Sequence, residues 1–271
     1  MISLDWKERL RKDTKDFFER KIPENDYDFD IIYNAYPERI ENKVPREVVT
    51  FVAKKLASKL AKEPEKYFDF YDYIWNEKGE DGKHAFAYIM AKVAKKNPDV
   101  FIPYVEKIIK NVDNKHECNM ILDKAIFPIL KKDPKKHLKK MINWLKTDNK
   151  FIIQGVIRLL IKIIKKKEDM VDPITKSLEN LWLHADEEFI RSIVKYIKAI
   201  YKVNPDYYLK IYKRYEHSRE PIFAEILANS IVVYDQTIEK MTDSWASSGN
   251  VKLKKAGKTG KRTIKRKKKN G

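Results

Sequence analysis

The sequence has a single cysteine, Cys118, in 271 residues. An internal disulfide is therefore excluded, and with no histidine at catalytic spacing the thiol reads as a small buried residue. Glycine is scarce as well, with seven in the chain, and none belongs to a phosphate-cradling loop; Gly79 and Gly82 read as a turn. Long apolar runs are missing. The greasiest segment, Phe151 to Ile164, is broken by Gln154, Arg158 and Lys162, whereas a membrane span needs about 18 apolar residues in a row. Nothing at the amino terminus has the apolar core of a signal peptide. The five histidines, His84, His116, His137, His184 and His217, lack ligand spacing, so neither a metal nor another cofactor is expected. These absences point to a soluble protein of a reducing compartment; a monomer is expected, in the cytoplasm or associated with the nucleoid.

Acidic residues are missing from one place in particular. From Val251 to Gly271 there are eleven Lys or Arg and no Asp or Glu, which accounts for eleven of the eighteen net positive charges and leaves +7 on the rest. With almost no apolar content this stretch is expected to be a disordered arm, Lys261, Arg262, Lys265 and Arg266 among its cations, that holds a phosphate backbone by counterion release. A solvated solubility tail is the plainer alternative, although such tails usually mix the two signs.

What is present is helical. Hydrophobic residues make up 43% of the chain, enough for a core, and no segment alternates as a strand does. Helices are expected over Leu4–Lys21, from Pro45 to Leu60, Pro98–Val112, Lys115–Lys131, Pro134–Lys146, Asn149–Lys166 and Pro221–Tyr234, with a short helix inside an acidic, aromatic loop between Pro23 and Asn42. An acidic or amide residue followed by proline recurs at Glu63-Pro64, Asn97-Pro98, Asp133-Pro134, Asp172-Pro173 and Asn204-Pro205, steps of 32 to 39 residues that are typical of helical-pair arrays. In each step the first residue is placed to cap a helix and the proline to take its first position. One helical pair cannot bury its apolar face, so the pairs must stack. The expected fold is an all-α, HEAT-like superhelix: a lead-in over 1–44, repeats over 45–243 and the basic tail over 244–271.

Asp186 to Pro205 shows the pattern most fully. Phe189, Ile190, Ile193, Val194, Ile197, Ile200 and Tyr201 fall on one arc of a helical wheel, Arg191, Lys195, Lys198 and Lys202 on the other, and Tyr196 at the edge between them. The acids at 186–188 suit the positive end of the helix dipole. Lysine runs at Lys131–Lys140 and Lys162–Lys167 are further candidates for a phosphate-binding face. The aromatic group from Tyr67 to Trp75 reads as packing between repeats.

The segment HADEEFIR with an aromatic seven residues after Phe189, the WLKTDNKFI junction from Trp144 to Ile152 and the N-terminal FFERKIP together resemble the AlkD-like DNA alkylation repair proteins, built of HEAT-like repeats. The resemblance covers about Phe17 to Tyr234. It implies a repeat array that clasps duplex DNA and, in active members, excises cationic N-alkylated purines without flipping the base. Such a reaction needs a carboxylate to stabilise oxocarbenium-like charge and aromatic faces to hold the cationic base.

The family's pattern is a Trp four residues before an Asp, an Arg at the start of the next repeat's second helix, and a later Trp. Carried over, the Asp falls on Asp123 with Asn119 four residues before it. The Arg position falls on Gln154 or Ile153, with Phe151 just ahead and Arg158 one turn along, and the later Trp on Tyr196. Asp123 is thus the candidate catalytic residue, or else a carboxylate paired with a neighbour such as Lys124. Phe151, Gln154, Arg158, Lys162, Arg191, Lys195, Tyr196 and Lys198 are the candidate DNA-binding residues of the repeats. Duplex DNA binding is the expected function, whereas the altered positions leave glycosylase-like excision of N-alkylated purines open. A protein-binding scaffold and an RNA-binding solenoid are the alternatives.

Overall fold

The computed structural model describes residues 6–19, 32, 33 and 44–270. The helix expected between Pro23 and Asn42 lies outside these, apart from the buried pair Ile32 and Tyr33. Among the described residues every regular element is a helix, and none of these helices is long and apolar enough to cross a membrane. They are α1 (Trp6–Glu19), α2 (Arg46–Leu60), α3 (Phe68–Glu77), α4 (Gly79–Val93), α5 (Pro98–Lys110), α6 (Lys115–Ile121) and α7 (Phe127–Lys132), then α8 (Pro134–Trp144), α9 (Lys150–Ile164), α10 (Val171–Glu179), α11 (Glu187–Val203), α12 (Pro205–Arg214), α13 (Pro221–Ser230), α14 (Gln236–Ala246) and α15 (Val251–Asn270).

The proline takes the first turn of a helix at four of the five steps, and the side-chain cap forms at two. Asp133 accepts from the Lys136 backbone N–H (3.1 Å) and Asn204 from that of Tyr207 (2.7 Å), with Pro134 and Pro205 in the first turn; such caps contribute about 0.5–2 kcal/mol each. Asn97 and Glu63 precede Pro98 and Pro64 without a side-chain cap. Asp172-Pro173 differs more, because α10 begins at Val171 and takes both residues into its first turn. The amide nitrogens of Asn97 and Asn204 reach the preceding repeat, each donating to a glutamate, Glu65 and Glu168, at 2.7 Å.

The chain divides into two compact units, residues 1–132 and 133–271. In the first, α2, α4 and the α6–α7 segment lie side by side as one row, while α3 packs on α4 and α5 on α6. Bonds between side chains about one repeat apart tie neighbours together. Thr50 meets His84 (2.7 Å), the Lys83 ammonium donates to Glu117 (2.9 Å), and the Tyr104 hydroxyl donates to Asp72 (2.8 Å). The aromatic group does pack between repeats, since Phe70, Tyr71 and Trp75 are buried and Phe68 stacks on Phe101 at 5.4 Å. Gly79 has φ +55°, the left-handed value that a turn into α4 requires and L side chains avoid. Gly82 is no turn residue: it sits inside α4, where a Cβ would come within 2.0 Å of the Ile74 carbonyl oxygen.

In the second unit the later helix of each pair, α9, α11, α13 and α15, forms one row, and α8, α10, α12 and α14 supply the other partners. Gln154 donates to Glu188 (3.0 Å) within the first row, and Tyr207 to Asp172 (3.0 Å) within the second.

The carboxy terminus corrects the expectation of a disordered arm, and α13 is not the last helix. Asp235 caps α14 through the Thr237 and Ile238 N–H groups, and Asn250 does the same for α15 through Lys252 and Leu253. On α15, Leu253, Ala256, Gly257, Gly260 and Ile264 are buried, at helical spacing on one arc. That arc lies on α13 and α14. Its two glycines allow the approach: a Cβ on Gly257 would meet the Ala246 backbone nitrogen at 2.2 Å, and one on Gly260 the Thr242 methyl at 2.4 Å. Residues 236–270 are thus a further helical pair of the array.

Candidate nucleic-acid interface

The solvent face of α9 and α11 carries most of the residues singled out in the repeats. On α9 the burial pattern leaves Phe151, Gln154, Arg158 and Lys162 half-buried, about a turn apart, above a buried face of Ile152, Ile153, Val156, Ile157, Leu159 and Leu160. Asn149 holds the start of that helix, accepting from the Phe151 N–H at 2.9 Å. On α11, Asp186 accepts from Phe189 N–H (2.7 Å), and Arg191, Lys195, Lys198 and Lys202 form a straight exposed stripe.

Charge is distributed unevenly within that face. Gln154 is bonded to Glu188, which also accepts from Ser192 at 3.4 Å. Arg191 is paired with Glu187 and Glu188 on its own helix. Lys195, Lys198 and Lys202 are exposed and have no acidic partner among the described residues. The cationic field of α11 therefore comes from its middle and end.

Tyr196 does not belong to this face, contrary to the expectation. It is 1% exposed, its hydroxyl lies 3.1 Å from Thr175 Oγ1 and 3.4 Å from the Val171 carbonyl, and burial pushes its pKa far up. The wheel places Tyr196 at an edge, but α11 is flanked by both α9 and α13 and packs on α12. The buried arc is consequently wider than the aliphatic residues alone define, taking in Ser192, Tyr196 and Ala199.

Asp123 lies in the first unit, half-buried, within a π-helical turn over Leu122–Ile126 that joins α6 to α7. Pro128 accounts for that turn. It has no N–H for the Lys124 carbonyl and its ring crowds that oxygen, so the ladder widens and the Phe127 N–H bonds back to the Leu122 carbonyl. Such turns recur at functional sites. The Lys124 ammonium sits 4.5 Å from the centre of the Tyr88 ring, and Lys54 lies 5.7 Å from the same ring. The Lys124 hydrogen bond and nearby positive charge lower the Tyr88 pKa. His84 stands beside it at 4.9 Å, its pKa lowered by burial and then by Arg46, Lys124 and His116. Sequence reasoning missed this cationic group on α2, α4 and the π turn; its members share a helix row only after folding, and the one local signal is Pro128.

Lys261, Arg262, Lys265 and Arg266 are exposed on α15. Lys261 pairs with Asp243 (2.8 Å) and Lys268 with Glu239 (3.4 Å), both acids lying on α14. The other nine cations of α15 have no acidic partner among the described residues.

Stacked helical pairs with repeat-spaced bonds and a lysine-rich helix row define the class, an all-α helical-repeat protein. The model of the DNA alkylation repair enzyme family matches residues 44–222, two thirds of the chain, and the protein belongs to that family. No curated protein and no solved structure matches it. Membership gives the chain a DNA alkylation repair-related role. The match ends inside α13, so α14 and α15 lie beyond it.

Proposed function

We propose that the protein binds duplex DNA along the solvent face of α9 and α11. The observation that carries this reading is the stripe of Lys195, Lys198 and Lys202, exposed and without acidic partners among the described residues, beside Arg158 and Lys162 in a chain of the DNA alkylation repair family. Each lysine that neutralises a phosphate displaces a counterion, so affinity should fall steeply with salt, by about 0.9 log unit per contact per tenfold salt. The combined substitution Lys195→Gln, Lys198→Gln, Lys202→Gln tests it. Weaker binding to a duplex of random sequence, with the slope reduced by about 2–3, supports the reading. An unchanged slope refutes it, and equal loss on single-stranded RNA would make the surface one for phosphate in general.

A second reading, excision of N-alkylated purines at Asp123, is favoured by the π turn that carries this carboxylate. It would rely on Asp123 without the family's aromatic and guanidinium help, because Tyr196 is buried and Gln154 is engaged with Glu188. Release of methylated purines from alkylated duplex that drops at least tenfold in Asp123→Asn supports excision. Absence of release from the intact protein, with binding retained, leaves the protein a non-catalytic binder.

A further inference from the structure

We propose that α15 is a second duplex-binding surface, docked as part of the repeat array and contacting phosphates through its outer stripe. The inference rests on the DNA-binding reading above but concerns residues outside the family match. At 100° per residue, Lys255, Arg262, Arg266 and Lys269 fall within one narrow arc, directly opposite the buried Leu253, Gly257, Gly260 and Ile264. All four are exposed. They span about 21 Å of helix axis at 1.5 Å per residue, and a duplex presents one phosphate per ~1.7 Å of its own axis over such a length.

The division of labour among the cations supports this. Lys261 and Lys268, on the flank toward α14, are paired with Asp243 and Glu239 of that helix. The four residues of the outer stripe are exposed and have no acidic partner within ion-pair distance among the described residues. The helix between the two basic stripes, α13, has no Lys or Arg and one acid, Glu225, so the stripe of α15 is separate from that of α11. Helices two steps apart in a row are about 16–20 Å apart, within reach of one duplex.

The chemistry of the stripe selects among anionic partners. A membrane-surface helix needs apolar side chains free to enter the lipid boundary, and those of α15 are committed to α13 and α14. A protein partner would be held by buried aromatic or aliphatic anchors, and the exposed arc offers none beyond Val251 at its first residue. Long flexible cations without anchors suit a phosphate backbone read without base contacts.

The test uses the full chain carrying Lys255→Gln, Arg262→Gln, Arg266→Gln and Lys269→Gln, with helicity and melting checked, against a random-sequence duplex and against phosphatidylserine vesicles. The expected result is a salt slope lower by about 2–4 and affinity at least tenfold weaker near physiological salt, with negligible vesicle binding by the parent. Affinity within twofold and an unchanged slope would overturn the inference, as would strong vesicle binding lost in the variant. The α11 triple variant separates the two readings. If it binds like the parent while the α15 variant does not, the α9–α11 reading fails and α15 stands; the reverse pattern leaves only α9–α11, and a parent that binds no duplex removes both.

Discussion

Gly257→Ala should loosen the carboxy-terminal helix, although alanine is the better helix former. Replacing a helical glycine by alanine favours the helix by about 0.8–1 kcal/mol. Against this, the new Cβ would lie 2.2 Å from the Ala246 nitrogen and 2.7 Å from its Cα. Ordinary contact begins at 3.4 Å, so the helix must retreat by about 1.2 Å, and backbone atoms of α14 do not swing aside as a side-chain end does. Retreat weakens the burial of Leu253 and Ile264, each worth about 1.5–3 kcal/mol when complete. The clash therefore outweighs the propensity, and docking of α15 should lose about 2–4 kcal/mol. Trypsin is the assay, because α15 contains eleven cleavable residues and cleavage tracks the population of the opened form when reclosing is fast. We expect cleavage after residue 250 to accelerate at least ~30-fold, while Gly249→Ala, with nothing within 4 Å of its Cβ, cleaves like the parent. Cleavage of Gly257→Ala at the parental rate or slower would show that the helix is not docked and would remove the basis for a fixed phosphate surface.

Two further substitutions separate packing from binding. Tyr196→Phe should cost about 0.5–1.5 kcal/mol, the value of its hydroxyl bonds, and Tyr196→Ala about 3–5 kcal/mol, both read from urea midpoints with the DNA salt slope unchanged; a stable Tyr196→Ala that binds DNA poorly would return this tyrosine to the interface. His84 titrates lower in the fold than its ordinary 6.5, through burial and the neighbouring Arg46, Lys124 and His116. Its neutral form is thus the one the fold favours, so its contribution is complete above about pH 6.5 and is lost as pH falls through the lower folded value. The parent should lose more melting temperature between pH 7.5 and 5.5 than His84→Gln does, and equal losses would refute the assignment.

The helices that carry their own start signals were legible in the sequence. Pro98, Pro134 and Pro205 mark boundaries by opening their helices, and the Asx residues before α8, α9, α11 and α12 through bonds made within four residues. What depended on neighbours was not. The apolar content of α15 is too small to fold alone, and only its fit against α13 and α14 makes Ala256, Gly257 and Gly260 useful contacts. Tyr196 was misplaced for a related reason, since a wheel divides a helix into two faces and α11 is packed on three sides. For Asp123 the signal was present in Pro128 but concerns the backbone ladder, which side-chain periodicity does not report.

The charge of α15 works against its own helix. Lys254 and Lys258, Lys258 and Arg262, Arg262 and Arg266, and Lys265 and Lys269 stand four residues apart, and each like-charge pair at that spacing disfavours the helix by a few tenths of a kcal/mol. Lys252, Lys254 and Lys255 also face the positive end of the helix dipole. Leu253, Ile264 and the two glycines of this helix make its packing on α13 and α14, while Lys255, Arg262, Arg266 and Lys269 stand exposed. Replacing Lys255, Arg262, Arg266 and Lys269 with glutamine should accordingly raise the thermal midpoint at low salt, with the gain shrinking as salt screens the repulsion, even as duplex binding weakens. A midpoint that falls instead would mean that these side chains support the fold, and their charge would need no phosphate to explain it.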